Sequence, residues 1–94
     1  MQTSSIYKAP NGKLIKIFLT YNHKHNSIDA VTISGDFFAY PEESIQQIEC
    51  ELQGKPFDKN TVYQVISQFV LDNKVEFIGI SPESITEALM RCPL

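Results

Sequence analysis

The residues able to do chemistry are few and scattered. His23 and His25 flank Lys24 in a polar stretch, and paired imidazoles are a start toward a metal site because neutral ring nitrogens ligate divalent metals. No nearby acid or cysteine completes the set, and a solvated loop accounts for the pair. Asp36, Glu42 and Glu43 bring carboxylates together, as acid-base work or a Mg²⁺ site would need. Helix capping and dipole matching explain them more simply. Cys50 and Cys92 lack a Cys-x-x-Cys arrangement. That suits two small, partly buried thiols in a reducing compartment better than a disulfide framework or a three- or four-ligand metal site. The four glycines stand singly, with no Gly-x-x-x-x-Gly-Lys cradle for phosphate. The residues therefore offer no catalytic set, no metal site and no ATP site within this chain.

The elements that position these groups read as an α+β fold in the order β-β-β-α-α-α. A three-stranded antiparallel sheet should pack against two to three helices, with room for a short extra strand near residues 75–79. Residues 6–9 and 14–21 form a hairpin across Pro10-Asn11-Gly12, because Asn-Gly accepts the positive backbone angles of a tight turn. Ile15, Ile17, Leu19 and Tyr21 then share the core face, opposite Lys16, Phe18 and Thr20. Residues 28–34 alternate again, with Val31 and Ile33 on one side, and Gly35-Asp36 ends that strand.

Pro41 suits the first position of a helix whose stripe is Ile45, Ile48 and Leu52, with Glu42 and Glu43 at its positive end and Gly54 as its stop. Asp58 or Asn60 caps the next helix, where Val62, Val65, Ile66, Phe69 and Val70 recur at helical spacing. Phe69→Ala is expected to be among the most damaging single changes there. Asp72-Asn73-Lys74 breaks that helix. Ser81-Pro82-Glu83 opens the last one, which buries Ile85, Ala88 and Leu89.

Phe37-Phe38-Ala39-Tyr40 places three aromatics between a strand end and a helix start. A small core has room for at least one, and at least one should face a partner. Phe18, on the polar face of its strand, is a second candidate contact.

The chain has 94 residues, 43% of them hydrophobic and 20% charged, with a net charge of -3. These values fit one folded domain spanning residues 1–94 and exclude a disordered chain. Lys13 and Lys16 make only a local basic spot, so a nucleic acid partner is not expected. The polar start and the lack of any apolar run near the roughly 20 residues that span a bilayer point to a cytoplasmic protein without signal or anchor. The methionine start and the compact ending favour a natural short chain.

The run Gly35-Asp36-Phe37-Phe38-Ala39-Tyr40-Pro41-Glu42-Glu43 resembles the C-terminal domain of lipoate-protein ligases, where a third strand enters a Gly-Asp-Phe-Phe segment and then a helix. Gly12-Lys13-Leu14-Ile15-Lys16 resembles the family's early strand, and Leu52-Gln53-Gly54-Lys55-Pro56-Phe57-Asp58 its inter-helix turn. Ile78-Gly79-Ile80-Ser81-Pro82-Glu83 resembles the start of its last helix. The resemblance spans nearly the whole chain. In that family a larger domain binds lipoate and ATP, forms lipoyl-adenylate and passes the lipoyl group to a lysine of a carrier domain. Its Arg-Arg-x-Ser/Thr-Gly-Gly-Gly segment and catalytic lysine have no counterpart here.

The resemblance thus implies the accessory small subunit of a bipartite, archaeal-type ligase. Such a subunit is needed with a separate catalytic large subunit for adenylate formation, is dispensable for the later transfer, and meets lipoyl-carrier domains only indirectly. ATP, Mg²⁺ and lipoate would be used by the complex, and this chain alone would bind none of them. Gly35, Asp36, Phe37, Phe38, Tyr40 and Phe18 are the expected partner contacts. Lys16 or Asp36 is the side chain expected to reach the partner's adenylation site, should one do so. Two other readings stand beside it: a scaffold domain that binds a different protein through residues 37–40, and a small independent enzyme using the histidines or the carboxylates.

Overall fold

The computed structural model describes residues 1–10 and 12–94. Among these residues five strands and three helices follow one another as β1 (Gln2–Lys8), β2 (Leu14–Asn22), β3 (Ser27–Gly35), β4 (Phe38–Tyr40), α1 (Ser44–Leu52), α2 (Lys59–Asn73), β5 (Glu76–Ile78) and α3 (Pro82–Met90). β1, β2 and β3 form an antiparallel sheet in that order, and β4 and β5 form a separate two-stranded ribbon. This is the expected α+β order, with the extra strand present as β5 and a further short strand, β4, in the segment expected only to connect the sheet to the first helix. Asn11 of the expected Asn-Gly turn lies outside the described residues; Gly12 beside it has φ +91°.

Period-two alternation builds the sheet: Ile15, Ile17, Leu19 and Tyr21 of β2 are buried and the residues between them look outward. On β3 the buried residues are Ile28, Val31 and Ile33, which breaks strict alternation. The cause is a bulge, because the register passes from Thr20↔Ala30 to Tyr21↔Ile28 and leaves Asp29 as an extra residue. Ile28 therefore faces inward, where strict alternation from Val31 would turn it out.

β1 also starts earlier than residue 6. Its inward positions are Thr3, Ser5 and Tyr7, two of which are small and polar, so hydrophobic periodicity has little to register. Their hydroxyls hold the C-terminal segment instead: Thr3 Oγ1 donates to the Pro93 carbonyl and Ser5 Oγ to the Ala88 carbonyl, each at 2.6 Å.

The helices cover one face of the sheet. α1 packs on β3, α3 packs on β2 and β1, and α2 lies across α1 and α3. Their buried side chains, Ile48, Leu52, Val62, Ile66, Ile85, Ala88 and Leu89, form one cluster with the inner face of the sheet. α2 starts on Asp58, whose Oδ2 accepts the Thr61 N–H at 3.0 Å, and ends on Lys74 at φ 52°. α3 starts on Ser81 with reciprocal Ser81–Ser84 bonds.

α1 begins later than expected. Pro41 precedes it rather than opening it, the Tyr40–Pro41 bond is cis, and the Pro41 carbonyl accepts the Ser44 N–H at 3.0 Å. Glu42 and Glu43 lie in that turn, outside the first helical residue, and the Glu43 side chain makes no capping bond. The outer edge of β3 is covered in two places. Glu49 Oε2 accepts the Ile33 N–H at 2.7 Å, and the turn after α1 pairs with the start of β3 through Ile28 N–H to Lys55 O (2.9 Å) and Gly54 N–H to Ile28 O (2.6 Å). An edge strand left bare would template foreign pairing, so these contacts close it.

Candidate functional site

The histidine loop is structural in its contacts. His23 meets the Tyr21 ring edge-on at 4.9 Å between centroids and brings Nε2 within 3.0 Å of Met1 Sδ. The His25 N–H donates to Asn22 Oδ1 at 3.1 Å, and the Tyr21 hydroxyl donates to Asn26 Oδ1. Among the described residues no group of three or more His, Cys, Asp and Glu is placed to hold a metal ion.

A groove of about 550 Å³ runs between β1, α2 and α3. Its Arg91 already bonds Glu87 at 3.0 Å and lies 4.7 Å over the Tyr7 ring. Lys59, Arg91, Glu83 and Glu87 all line this groove, so its formal charges balance, two cations against two acids.

The two thiols differ. Cys50 is exposed and Cys92 is buried; burial pushes the Cys92 thiol above its ordinary range, partly opposed by a hydrogen bond with Ser5. A raised pKa and poor access both keep thiolate from reacting. A thiol reagent at neutral pH should therefore label Cys50 quickly and Cys92 only after denaturation, which mass spectrometry of the labelled peptides would read.

The segment 35–40 is sorted by geometry. Gly35 has φ +155°, and a Cβ there would lie 2.1 Å from the Leu14 carbonyl oxygen and 2.9 Å from the Phe37 ring. Asp36 Oδ1 accepts the Leu14 N–H at 2.6 Å, and the Asp36 N–H reaches the Leu14 carbonyl at 3.3 Å. These two residues latch the end of β3 to the start of β2. Phe37 is half-buried and packs against the core.

β4 then alternates: Ala39 is buried, while Phe38 and Tyr40 remain 62% and 48% exposed. Phe38 pairs with Ile78 of β5, itself 46% exposed, and directly opposed residues of an antiparallel pair share a face. Phe38, Tyr40 and Ile78 make an uncovered apolar ridge. Sequence reasoning missed Ile78, whose exposure follows from a pairing about 40 residues distant along the chain. Phe18 is 58% exposed on the outer face of the main sheet, apart from the ridge, and Lys16 stands on that same outer face. Asp36, held by the Leu14 amide, is the less free of the two charged candidates.

This arrangement has counterparts. The sequence model of the family described as bacterial lipoate protein ligase C-terminus matches residues 11–89, which include the latch, the ridge and all three helices up to Leu89. The chain belongs to this family. A curated relative, lipoate-protein ligase A subunit 2 of Thermoplasma acidophilum, is 36% identical over 89 residues, covering 95% of this chain and 88% of the relative. Among solved structures, a chain from an archaeal lipoylation system of the same organism superposes with a TM-score of 0.81 at 34% identity, covering 95% of this chain and 94% of that one. That system is described as a bi-partite lipoate protein ligase and its E2 lipoyl domain. Within the family, then, the chain has the fold and nearly the whole length of a separate subunit. No helix among its described residues is long and apolar enough to cross a membrane.

Proposed function

We propose that this chain is the small, accessory subunit of a two-part lipoate-protein ligase. It joins a separate catalytic large subunit in the ATP-dependent activation of lipoate to lipoyl-adenylate. The observation that carries the reading is the match over 95% of this chain and 88% of a relative that is itself named a ligase subunit, in a chain that groups no three His, Cys, Asp or Glu for a metal among its described residues. ATP, Mg²⁺ and lipoate belong to the partner's site, and the lipoyl-carrier domain is met only through the complex. The complex would act in the cytoplasm. Docking orders or shields the partner's adenylation site, lowering the barrier by positioning and exclusion of water rather than by a base from this chain.

The experiment is lipoyl-adenylate formation from lipoate and ATP by a purified catalytic large subunit, with and without this chain at matched concentrations. Adenylate formed only by the mixture is the expected result. A large subunit equally active alone, or a silent mixture with a proven partner, would move the function to a scaffold role. Turnover by this chain alone would make it an enzyme in its own right.

Phe38 and Tyr40 supply the first contact. Exposed aromatics that become central anchors cost about 2 kcal/mol or more of binding when truncated, so Phe38→Ala and Tyr40→Ala should each weaken the complex by that order in calorimetry. Phe37→Ala is expected to act differently, lowering the thermal midpoint of the isolated chain because its ring packs on the core.

A further inference from the structure

The helices leave the outer face of the main sheet bare, and that face is not uniformly polar. Cross-strand pairing aligns Ile6 with Lys16 and Ser34, and Ser4 with Phe18 and Thr32. Leu14 pairs with Lys8 at one end. Ile6, Phe18 and Leu14 are 69%, 58% and 37% exposed, and as diagonal neighbours they form one apolar line across β1 and β2. A solvated sheet face normally carries polar residues at these positions, and such a line marks a surface that something covers.

Lys16 stands in the middle of this line. Among the described residues no ion-pair partner accompanies it. The acids at the two ends of β3 are engaged elsewhere, Asp29 with Asn22 at 3.5 Å and Asp36 with the Leu14 amide. A partner that covers Ile6 and Phe18 also takes the Lys16 ammonium out of water, which is strongly unfavourable unless an opposite charge meets it. The surface that matches it best is apolar with an anion opposite the Lys16 ammonium. Self-association through this face does not supply that anion, since both copies would bring lysines and hydroxyls.

The face also adjoins the ridge. The Lys13 side chain lies over Gly79, where a Cβ would come within 2.7 Å of its Cγ, so Leu14 and Ile78 flank one junction and a single partner can span both surfaces. We propose that the outer sheet face docks the catalytic ligase chain, with Ile6 and Phe18 in an apolar contact and a carboxylate of that chain opposite Lys16. This rests on the accessory-subunit reading and extends the contact beyond the ridge.

Calorimetric titration of the catalytic chain with this chain, without ATP or lipoate, tests it. The variants are Phe18→Ser, Lys16→Met and a Gln64→Glu control on the exposed side of α2. Phe18→Ser should weaken binding at least about tenfold, and Lys16→Met at least about thirtyfold, because it leaves a buried carboxylate unmatched. The control should bind as the wild type does, and circular dichroism should show all three folded. If the wild type binds, Phe38→Ala weakens it, and both sheet-face variants stay within twofold, the sheet-face contact is overturned while the accessory reading stands. A loss in Lys16→Met that appears only with nucleotide present would overturn the carboxylate assignment in favour of a phosphate. A wild-type chain that dimerises alone in sedimentation, and ceases to do so as Phe18→Ser, would overturn it in favour of a second copy. No binding by the wild type would end the accessory reading and this contact with it.

Discussion

Replacing Gly35 by alanine should lower stability by about 3 kcal/mol or more, seen as a reduced urea midpoint at unchanged slope. Two effects act together at this position. The φ of +155° is one that L side chains rarely adopt, and the added Cβ would sit 2.1 Å from a backbone oxygen, that of Leu14. A flexible side chain could move aside, but a strand carbonyl cannot do so alone. Relief requires Leu14 to shift, and Leu14 is the residue whose N–H and C=O both bond Asp36. The expected damage therefore reaches the β2–β3 pairing and the path into β4. A loss below about 1 kcal/mol would show that this corner can relax, which the close approach argues against.

The same corner explains why Gly-Asp precedes two phenylalanines. The latch fixes where β3 stops and at what angle the chain leaves, so that Phe37 turns into the core while Phe38 and Tyr40 turn out on β4. Gly35 and Asp36 act on the exposed ridge by aiming it. The aromatics that remain exposed stand on a paired strand rather than a free loop, and less ordering entropy is then lost when a partner arrives.

Much of the architecture was legible because local chemistry and global fold agree there. The alternation of Ile15, Ile17, Leu19 and Tyr21, the Asp58 cap and the Ser81-Pro82-Glu83 start each have a cause within a few residues, and each appears as read. What could not be read depends on distant partners. Thr3 and Ser5 belong to a strand because they pair with Leu19 and Ile17 of β2, while carbonyls of Pro93 and Ala88 receive their hydroxyls. Ile28 faces inward because of a bulge that only the pairing with β2 reveals. Pro41 looked like a helix start, yet its carbonyl accepts the Ser44 N–H in a turn ahead of the helix. For the candidate site, composition singled out residues 37–40, but which rings face outward depends on β5, whose Ile78 completes the ridge.

Helix α2 carries the last expectation, and here the structure redirects the sequence reading. Phe69, the largest residue of its apolar stripe, is only partly buried and lines surface depressions beside Asn73 and Glu51. Ile66 is fully buried, in the cluster that joins α2 to α1 and α3. Removing buried methylenes costs their transfer free energy and also the cavity left behind, whereas a half-exposed ring loses only part of the first and leaves a gap that water fills. Ile66→Ala should therefore destabilise the chain by about 2 to 5 kcal/mol, and Phe69→Ala by about 1 to 2 kcal/mol, in the reverse of the order that side-chain size suggests. Against the roughly 5 to 15 kcal/mol typical of a whole domain, the first loss is a large fraction and should show as a clear drop in thermal midpoint. Because α2 packs mainly across both other helices, loosening it should free α1 and α3 before the β2–β3 pairing. Hydrogen exchange on Ile66→Ala should thus rise first at amides of the helices. Equal acceleration throughout the sheet would mean instead that the two layers unfold as one unit.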